Sequence, residues 1–250
     1  MSGERTQSLL LGALGVALML GAWEVIGQNR LVGMTWPPFS SVMAFLFDPS
    51  RQALFSRALT ATLGSAGLGY LIGGLAGLAF AMLGQILPVL RPGTDRATAV
   101  IHAIPSIALA PIFIVLLSRE AAPTALAALS AFFVFYVAGA SGFASSSQTQ
   151  RDLMAALGAS GTKRFFHVDL PAAFPGIVSG MKLAVPAALI GAIIGEWFGA
   201  PRGLGILIVN AMQNFQIPLL WSVVVLAATT SLVLFSAMTL LERIVHERYR

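Results

Sequence analysis

The sequence predicts an all-α fold, a polytopic membrane protein with six transmembrane helices. Three observations carry this reading. Of 250 residues, 57% are hydrophobic and only 10% are charged, against about 25% charged in an ordinary soluble domain. Mean hydropathy is +0.84. The apolar residues run continuously instead of alternating with period two, which selects helices over barrel strands. A water-soluble globular enzyme is thereby excluded. So is a disordered or collagen-like chain, because the 25 glycines follow no three-residue period. With no cysteine, disulfides and thiolate chemistry are absent. The net charge of +5 is scattered between apolar runs, so it speaks against a nucleic-acid partner and is read against the lipid bilayer.

A helix crosses the hydrocarbon with about 20 apolar residues. Such stretches fall at roughly 8–27, 58–84, 99–118, 123–145, 176–199 and 218–241. The first begins near Arg5 like a signal peptide, but no small-x-small site follows and the run continues through Trp23 and Val25, so it reads as a retained helix. The organisation expected is residues 1–57 as an N-terminal transmembrane helix with an outer connection, and 58–250 as the transmembrane core. Within the outer connection, Trp36-Pro37-Pro38 cannot continue a helix, and Val42–Phe47 reads as a short interfacial one. An even number of spans puts both termini on one side. Arg5, Arg91, Arg96, Arg151, Lys163, Arg164, Lys182, Arg243, Arg248 and Arg250 then share that side, against Arg30, Arg51, Arg57, Arg119 and Arg202. The bias places both termini in the cytoplasm.

Inside the spans, Gly69, Gly73 and Gly77 recur every fourth residue, as do Gly191, Gly195 and Gly199 after Gly176, Gly180, Ala184 and Ala188. Such faces let helix backbones approach closely in lipid. Two readings stand, fixed packing and surfaces that slide during a cycle. Pro105, Pro111 and Pro186 each remove a backbone donor. Either they kink a helix statically, or they bend one beside a pathway, which makes Pro105 and Ser106 pathway candidates. Glu196, between Gly195 and Trp197 near a span end, is the most unusual acid. It is either a gating group or a structural hydrogen-bond acceptor. Trp23 and Glu24 read as an interfacial anchor.

No enzyme constellation is apparent. His102, His167 and His246 lie far apart, and no paired carboxylates share a helix face in mid-membrane. Gly158–Lys163 resembles a phosphate loop but lacks the Walker spacing and a preceding strand. The segment 146–175 is long for a loop, and long ordered loops are usually functional. Leu153, Ala156 and Leu157 share one helical face, and Gly158 ends that helix. Ser160 or Thr162 caps a second, basic one, and Pro171 breaks it before the fifth span. This helix–turn–helix has the character of a docking surface for another protein.

Residues 152–171 resemble the EAA loop of binding-protein-dependent ABC importer permeases, written E-A-A-x3-G-x9-I-x-L-P. Asp152 stands at the Glu position, Gly158 at the glycine, Val168 at the Ile, and Leu170-Pro171 closes the pattern. Leu153 and Met154 replace the two alanines. Ala155, Ala156, Ala159 and Ser160 fill the same stretch. Ile104-Pro105-Ser106, Ala108-Leu109-Ala110-Pro111, and Glu196 followed by Gly203-Leu204-Gly205 are similar to the nitrate/sulfonate/taurine-type branch, over about residues 58–245. The turn Ser118–Pro123 lacks the Gly-rich sequence usual there.

The resemblance implies a type I ABC importer permease fold in a bacterial inner membrane. It implies a transport function for a small polar solute such as nitrate, a sulfonate or taurine, an aromatic carboxylate, or a pyrimidine-like compound. The implied partners are two ABC ATPase subunits, a second permease copy in a homodimer, and an extracytoplasmic substrate-binding protein. ATP and Mg are then used by the ATPase, and no cofactor is bound by this chain. A self-sufficient secondary transporter or channel is the competing reading.

Overall fold

The computed structural model describes residues 2–248. Arg250, and the side chains of Arg5 and Arg248, lie outside the described residues. The helices are α1 (Ser2–Gln28), α2 (Phe39–Leu46), α3 (Gln52–Ile86), α4 (Arg91–Ala103), α5 (Ser106–Leu116), α6 (Ala122–Ala144), α7 (Gln148–Ala156), α8 (Gly161–Arg164), α9 (Leu170–Glu196), α10 (Leu204–Gln213) and α11 (Ile217–Arg248). No strand occurs among the described residues. Five helical stretches are long and apolar enough to cross a membrane, and a sixth arises if the bent pair α4–α5 is one span.

In the stretch expected as the third span, the interruption at Pro105 is a full break between two helices. α4 and α5 meet at 92°, with Ile104 (ψ 122°) and Pro105 (ψ 119°) both extended. The cause is local: proline excludes the α region for the residue before it and offers no N–H of its own. α5 alone, at about 1.5 Å per residue, reaches only about 16 Å. Pro111, Pro175 and Pro186, by contrast, sit inside helices that continue through them.

Pro171 also departs from expectation, since it breaks nothing. The chain passes from α8 through a single π-turn, Phe165–Asp169, straight into α9, where proline occupies the first turn. Leu170 N–H reaches back five residues to Phe165 O, so the hydrogen-bond ladder is already widened at the point where Pro171 supplies no donor. The continuous helix that carries the fifth span runs from Gly161 to Glu196, longer than the expected 176–199.

The chain divides into two compact units, Met1–Ser56 with Leu207–Ala227, and Arg57–Ile206 with Ala228–Arg250. In the first, Trp23, Trp36 and Trp221 form a cluster with ring centroids 4.8–5.7 Å apart. Two of the indoles bond to main chain, Trp23 Nε1 donating to Pro37 O at 3.0 Å and Trp221 Nε1 to Thr35 O at 2.9 Å, whereas Trp36 Nε1 is buried with no partner among the described residues. Glu24 accepts both the amide and the hydroxyl of Ser40, at 2.9 and 2.6 Å, which secures the start of α2. The Trp23–Glu24 pair is thus a tie between α1 and the connection that follows it.

In the second unit α6 is the centre. A Cβ at Gly73 or Gly77 of α3 would collide with the backbone carbonyls of Ala128 or Phe132, and one at Gly69 with Ala127. On an adjoining face of α6, Gly191 and Gly195 of α9 meet Leu126 O and the Pro123 backbone, and Gly180 meets Ala138. The core between them is small: Ala66, Ala127, Ala131, Ala184, Ala188 and Ala192 with Phe135 and Leu189. Gly199 was grouped with this face by its spacing, but it lies in the turn after α9 with φ 102°. The glycine faces accordingly mark backbone-to-backbone contact with α6. A Gly73→Val variant is expected to insert but lose about 1–3 kcal/mol of stability through overpacking, read as a lowered melting temperature in detergent. Gly67→Ala, where nothing lies within 4 Å, is expected to be neutral or slightly stabilising, because alanine is the better helix former.

Candidate functional site

The expected candidates fall into three places. Asp152, Ala155, Ala156, Gly158, Ala159 and Ser160 lie together on α7, its turn and the start of α8. Leu170 and Pro171 begin α9, whereas Glu196 ends it, about 39 Å away at 1.5 Å per residue. Pro105 and Ser106 sit at the α4–α5 break, with Pro105 exposed and Ser106 half-buried.

The α7–α8 turn follows from its sequence. Gly158 adopts φ 76°. Its amide bonds to Ala155 O at 2.9 Å, and the Ala159 amide to Met154 O at 2.9 Å, the paired closure of a Schellman motif. Nothing lies within 4 Å of a Cβ placed on Gly158, so the requirement there is conformational. Ser160 Oγ accepts the Lys163 amide at 3.4 Å and caps α8. Asp152 takes Gln148 Nε2 at 2.8 Å. The apolar members of this loop are uncovered, with Leu153 60% and Leu157 74% exposed. The apolar face of this helix is thus largely uncovered among the described residues.

The loop is held from beneath by a residue the sequence reading passed over. Asp169, buried in the π-turn, accepts Arg151 Nε at 2.8 Å and Ser146 Oγ at 2.7 Å on Oδ1, and Gln85 Nε2 at 3.0 Å on Oδ2. Arg151 Nη2 also donates to Phe143 O at 2.8 Å. One carboxylate therefore joins α3, the end of α6, α7 and the entry to α9. Beside it Phe143, Phe165, Ala173 and Ile177 form an apolar cluster against which Leu170 packs. The available signal was an acid between Val168 and Leu170, in an apolar run with Arg151 upstream.

At the far end of α9, Glu196 is buried and acts as an acceptor. Its Oε2 receives Gly205 N–H at 2.7 Å and Thr62 Oγ1 at 3.0 Å. The Thr62 hydroxyl in turn accepts Leu204 N–H at 2.8 Å. Gly203, at φ 139°, lies so close that a Cβ would overlap the Glu196 carboxylate. The carboxylate thus clamps the 197–205 loop and the start of α10 onto α3. Oε1 is buried with no partner among the described residues. Thr62, one of several hydroxyl residues in a glycine-rich span, was not legible as the partner of Glu196.

The histidines are distributed as expected: His102 stacks on Phe133 with centroids 3.5 Å apart, and His167 and His246 each place Nδ1 against a carbonyl one turn back. The described residues contain no cluster of three metal-ligating side chains. Removing the Thr62 hydroxyl as Thr62→Val is expected to leave Leu204 N–H unsatisfied and cost about 1–3 kcal/mol. Thermal unfolding and faster hydrogen exchange at the Leu204 and Gly205 amides would register it. Thr62→Ser is expected to behave like wild type.

Comparison with known proteins is consistent with this architecture. Residues 69–250 match the family described as binding-protein-dependent transport system inner membrane component. The chain is similar to the formylaminopyrimidine transport permease protein ThiX of Halalkalibacterium halodurans, 28% identical over 96% of each chain. It is similar also to the putative aliphatic sulfonates transport permease protein SsuC of Bacillus subtilis, 28% identical over 96% of this chain and 88% of that one. Its fold resembles a chain of the inward-facing MetNI methionine ABC transporter, with TM-score 0.69 and 18% identity over 80% of this chain and 99% of that chain. The protein belongs to the binding-protein-dependent inner membrane components, the multi-pass permease subunits of ABC importers, in their nitrate/sulfonate-type branch.

Proposed function

We propose that the chain forms the translocation pathway for a small polar solute of the sulfonate, nitrate or pyrimidine-like class, and that the α7–α8 loop couples it to ATP hydrolysis. The observation that carries this reading is the α7–Gly158–α8 turn, an uncovered amphipathic surface tied by one buried ion pair to the transmembrane helices. The solute class is supported by the similarity to ThiX, a formylaminopyrimidine transport permease, and SsuC, a putative aliphatic sulfonates transport permease. Two ATPase subunits and a second copy of this chain complete the transporter, and an extracytoplasmic binding protein delivers the solute. ATP and Mg are used by the ATPase, and this chain binds no cofactor and does no catalysis. Both termini and the α7–α8 loop face the cytoplasm.

The mechanism follows from the ties. Leu153, Ala156 and Leu157 seat in the ATPase, with Asp152, Ala155, Gly158, Ala159 and Ser160 fixing the shape of the turn. When the ATPase dimer closes on ATP, the loop moves. Arg151 and Asp169 pass that displacement to α9 and, through Gln85, to α3. Leu170 and Pro171 lie at the junction where loop becomes span. The extended pair Ile104–Pro105, followed by Ser106, supplies a non-helical segment of the kind tolerated at membrane depth only where it is buried in protein or lines a cavity.

Vesicles carrying this chain, its ATPase and its binding protein are expected to accumulate solute only with ATP. Uptake by the chain alone would favour a secondary transporter. Gly158→Val, which forces a β-branched residue to positive φ at a cost of about 1–2 kcal/mol, is expected to insert normally yet reduce ATP-driven uptake by about tenfold or more. Asp169→Asn is expected to leave ATPase binding intact while lowering solute moved per ATP hydrolysed. A variant with normal stoichiometry would remove the coupling role of that residue.

A further inference from the structure

A polar cavity of about 380 Å³ lies under the α7–α8 loop, between the last turn of α3 and the start of α4. Arg91, Arg151 and Arg164 line it together with Gln85, Gln148 and Asp169. The single carboxylate is already paired with Arg151. Asp169 receives Ser146, Arg151 and Gln85. The ion pairs among the described residues are Arg51–Asp48, Arg151–Asp169 and Lys182–Glu242, so Arg91 and Arg164 take part in none. Asp95, one turn beyond Arg91, accepts the Tyr136 hydroxyl at 2.5 Å. Gly84 permits the close seating of α4: a Cβ there would meet Thr94 Oγ1 at 2.9 Å and Arg91 Cα at 3.5 Å. Arg91, exposed, and Arg164, half-buried, thus line one cavity at the boundary between apolar span and polar loop, with no ion-pair partner among the described residues.

Like charges beside low-dielectric protein repel, and an oxyanion with several acceptor atoms relieves both at once. Guanidinium is the side chain best shaped to receive it, through paired N–H donors. We infer that this cavity is an anion site that takes a phosphate group between Arg91 and Arg164. The volume falls within the range of about 300–1,000 Å³ usual for ligand pockets. Alongside it, the α3–α4 turn exposes Ile86, Leu87, Val89 and Leu90, with Val89 88% exposed. A phosphate that carries acyl chains could lay them along those residues, and basic pockets at the ends of transmembrane helices take acidic headgroups. Inorganic phosphate presents the same oxygens without the tail. The inference does not depend on which solute is carried or on the coupling role of the loop.

The test uses the permease with its ATPase subunits in nanodiscs. Retention of phosphatidylglycerol over phosphatidylcholine is read by native mass spectrometry, and the effect of inorganic phosphate on the melting temperature is read in pure phosphatidylcholine discs. Wild type is expected to retain phosphatidylglycerol, and Arg91→Gln/Arg164→Gln to lose about 30-fold in that preference. A phosphate-dependent rise in melting temperature that the same double variant lacks, without lipid retention, supports the site and identifies the free anion as its source. If the double variant fails to assemble, Arg91→Gln alone carries the test, with about a fivefold loss expected. Lipid retention and phosphate response that are both absent from wild type, or unchanged in the variants, overturn the inference.

Discussion

The close approach of α3 and α9 to α6 is the constraint on which the core unit depends. In lipid no hydrophobic effect drives helices together, so association rests on van der Waals contact and hydrogen bonds. Contact is greatest where side chains are least, which is why Gly69, Gly73 and Gly77 of α3 and Gly180, Gly191 and Gly195 of α9 all meet α6. The alanine-rich cluster between them has the same cause. Because α9 is held against α6 along much of its length, its two ends are mechanically related. One end carries the Asp169 node and the other the Glu196 clamp.

Those two acids solve the same problem differently. Burying a carboxylate is expensive unless it is paired or richly hydrogen-bonded. Asp169 is paired with Arg151 and given two neutral donors besides. Glu196 has no cation and relies on the Gly205 amide and the Thr62 hydroxyl. A third tie, Lys182 Nζ with Glu242 and the Ser179 hydroxyl, joins α9 to α11. Each such group is a fastening between helices. The scarcity of charge in the composition reflects this use: among the described residues, the buried charged side chains, Asp169 and Glu196, are both engaged.

Much of this was legible in advance where the cause is local. Gly158 at positive φ, the Ser160 cap and the break at Pro105 all follow from the allowed conformations of one or two residues. The glycine faces were legible from their spacing, except that periodicity assigned Gly199 to a helix that had already ended. Proline chemistry was read correctly at residue 105 and incorrectly at 171, because a π-turn has already widened the hydrogen-bond ladder where the donor is missing. Thr62, Gln85 and Asp169 were not legible as partners. Thr62 and Glu196 are 134 residues apart, and Gln85 and Asp169 are 84 apart; no local rule relates such positions.

By itself, the sequence determined that the chain is a bundle of membrane helices, that certain faces pack closely, and that one polar loop has the spacing of an ATPase-coupling segment. Those properties are set by transfer of residues from water to lipid and by backbone sterics, both of which act over a few residues. Only the tertiary structure decided that α6 is the helix both glycine faces meet, that the third span is folded back through 92°, and that Arg151 reaches under its loop to Asp169 while Arg91 and Arg164 are left facing a common cavity. Hydrogen bonds and charge pairs form between whichever groups the packed helices bring within about 3 Å, and that proximity exists only once the chain has folded.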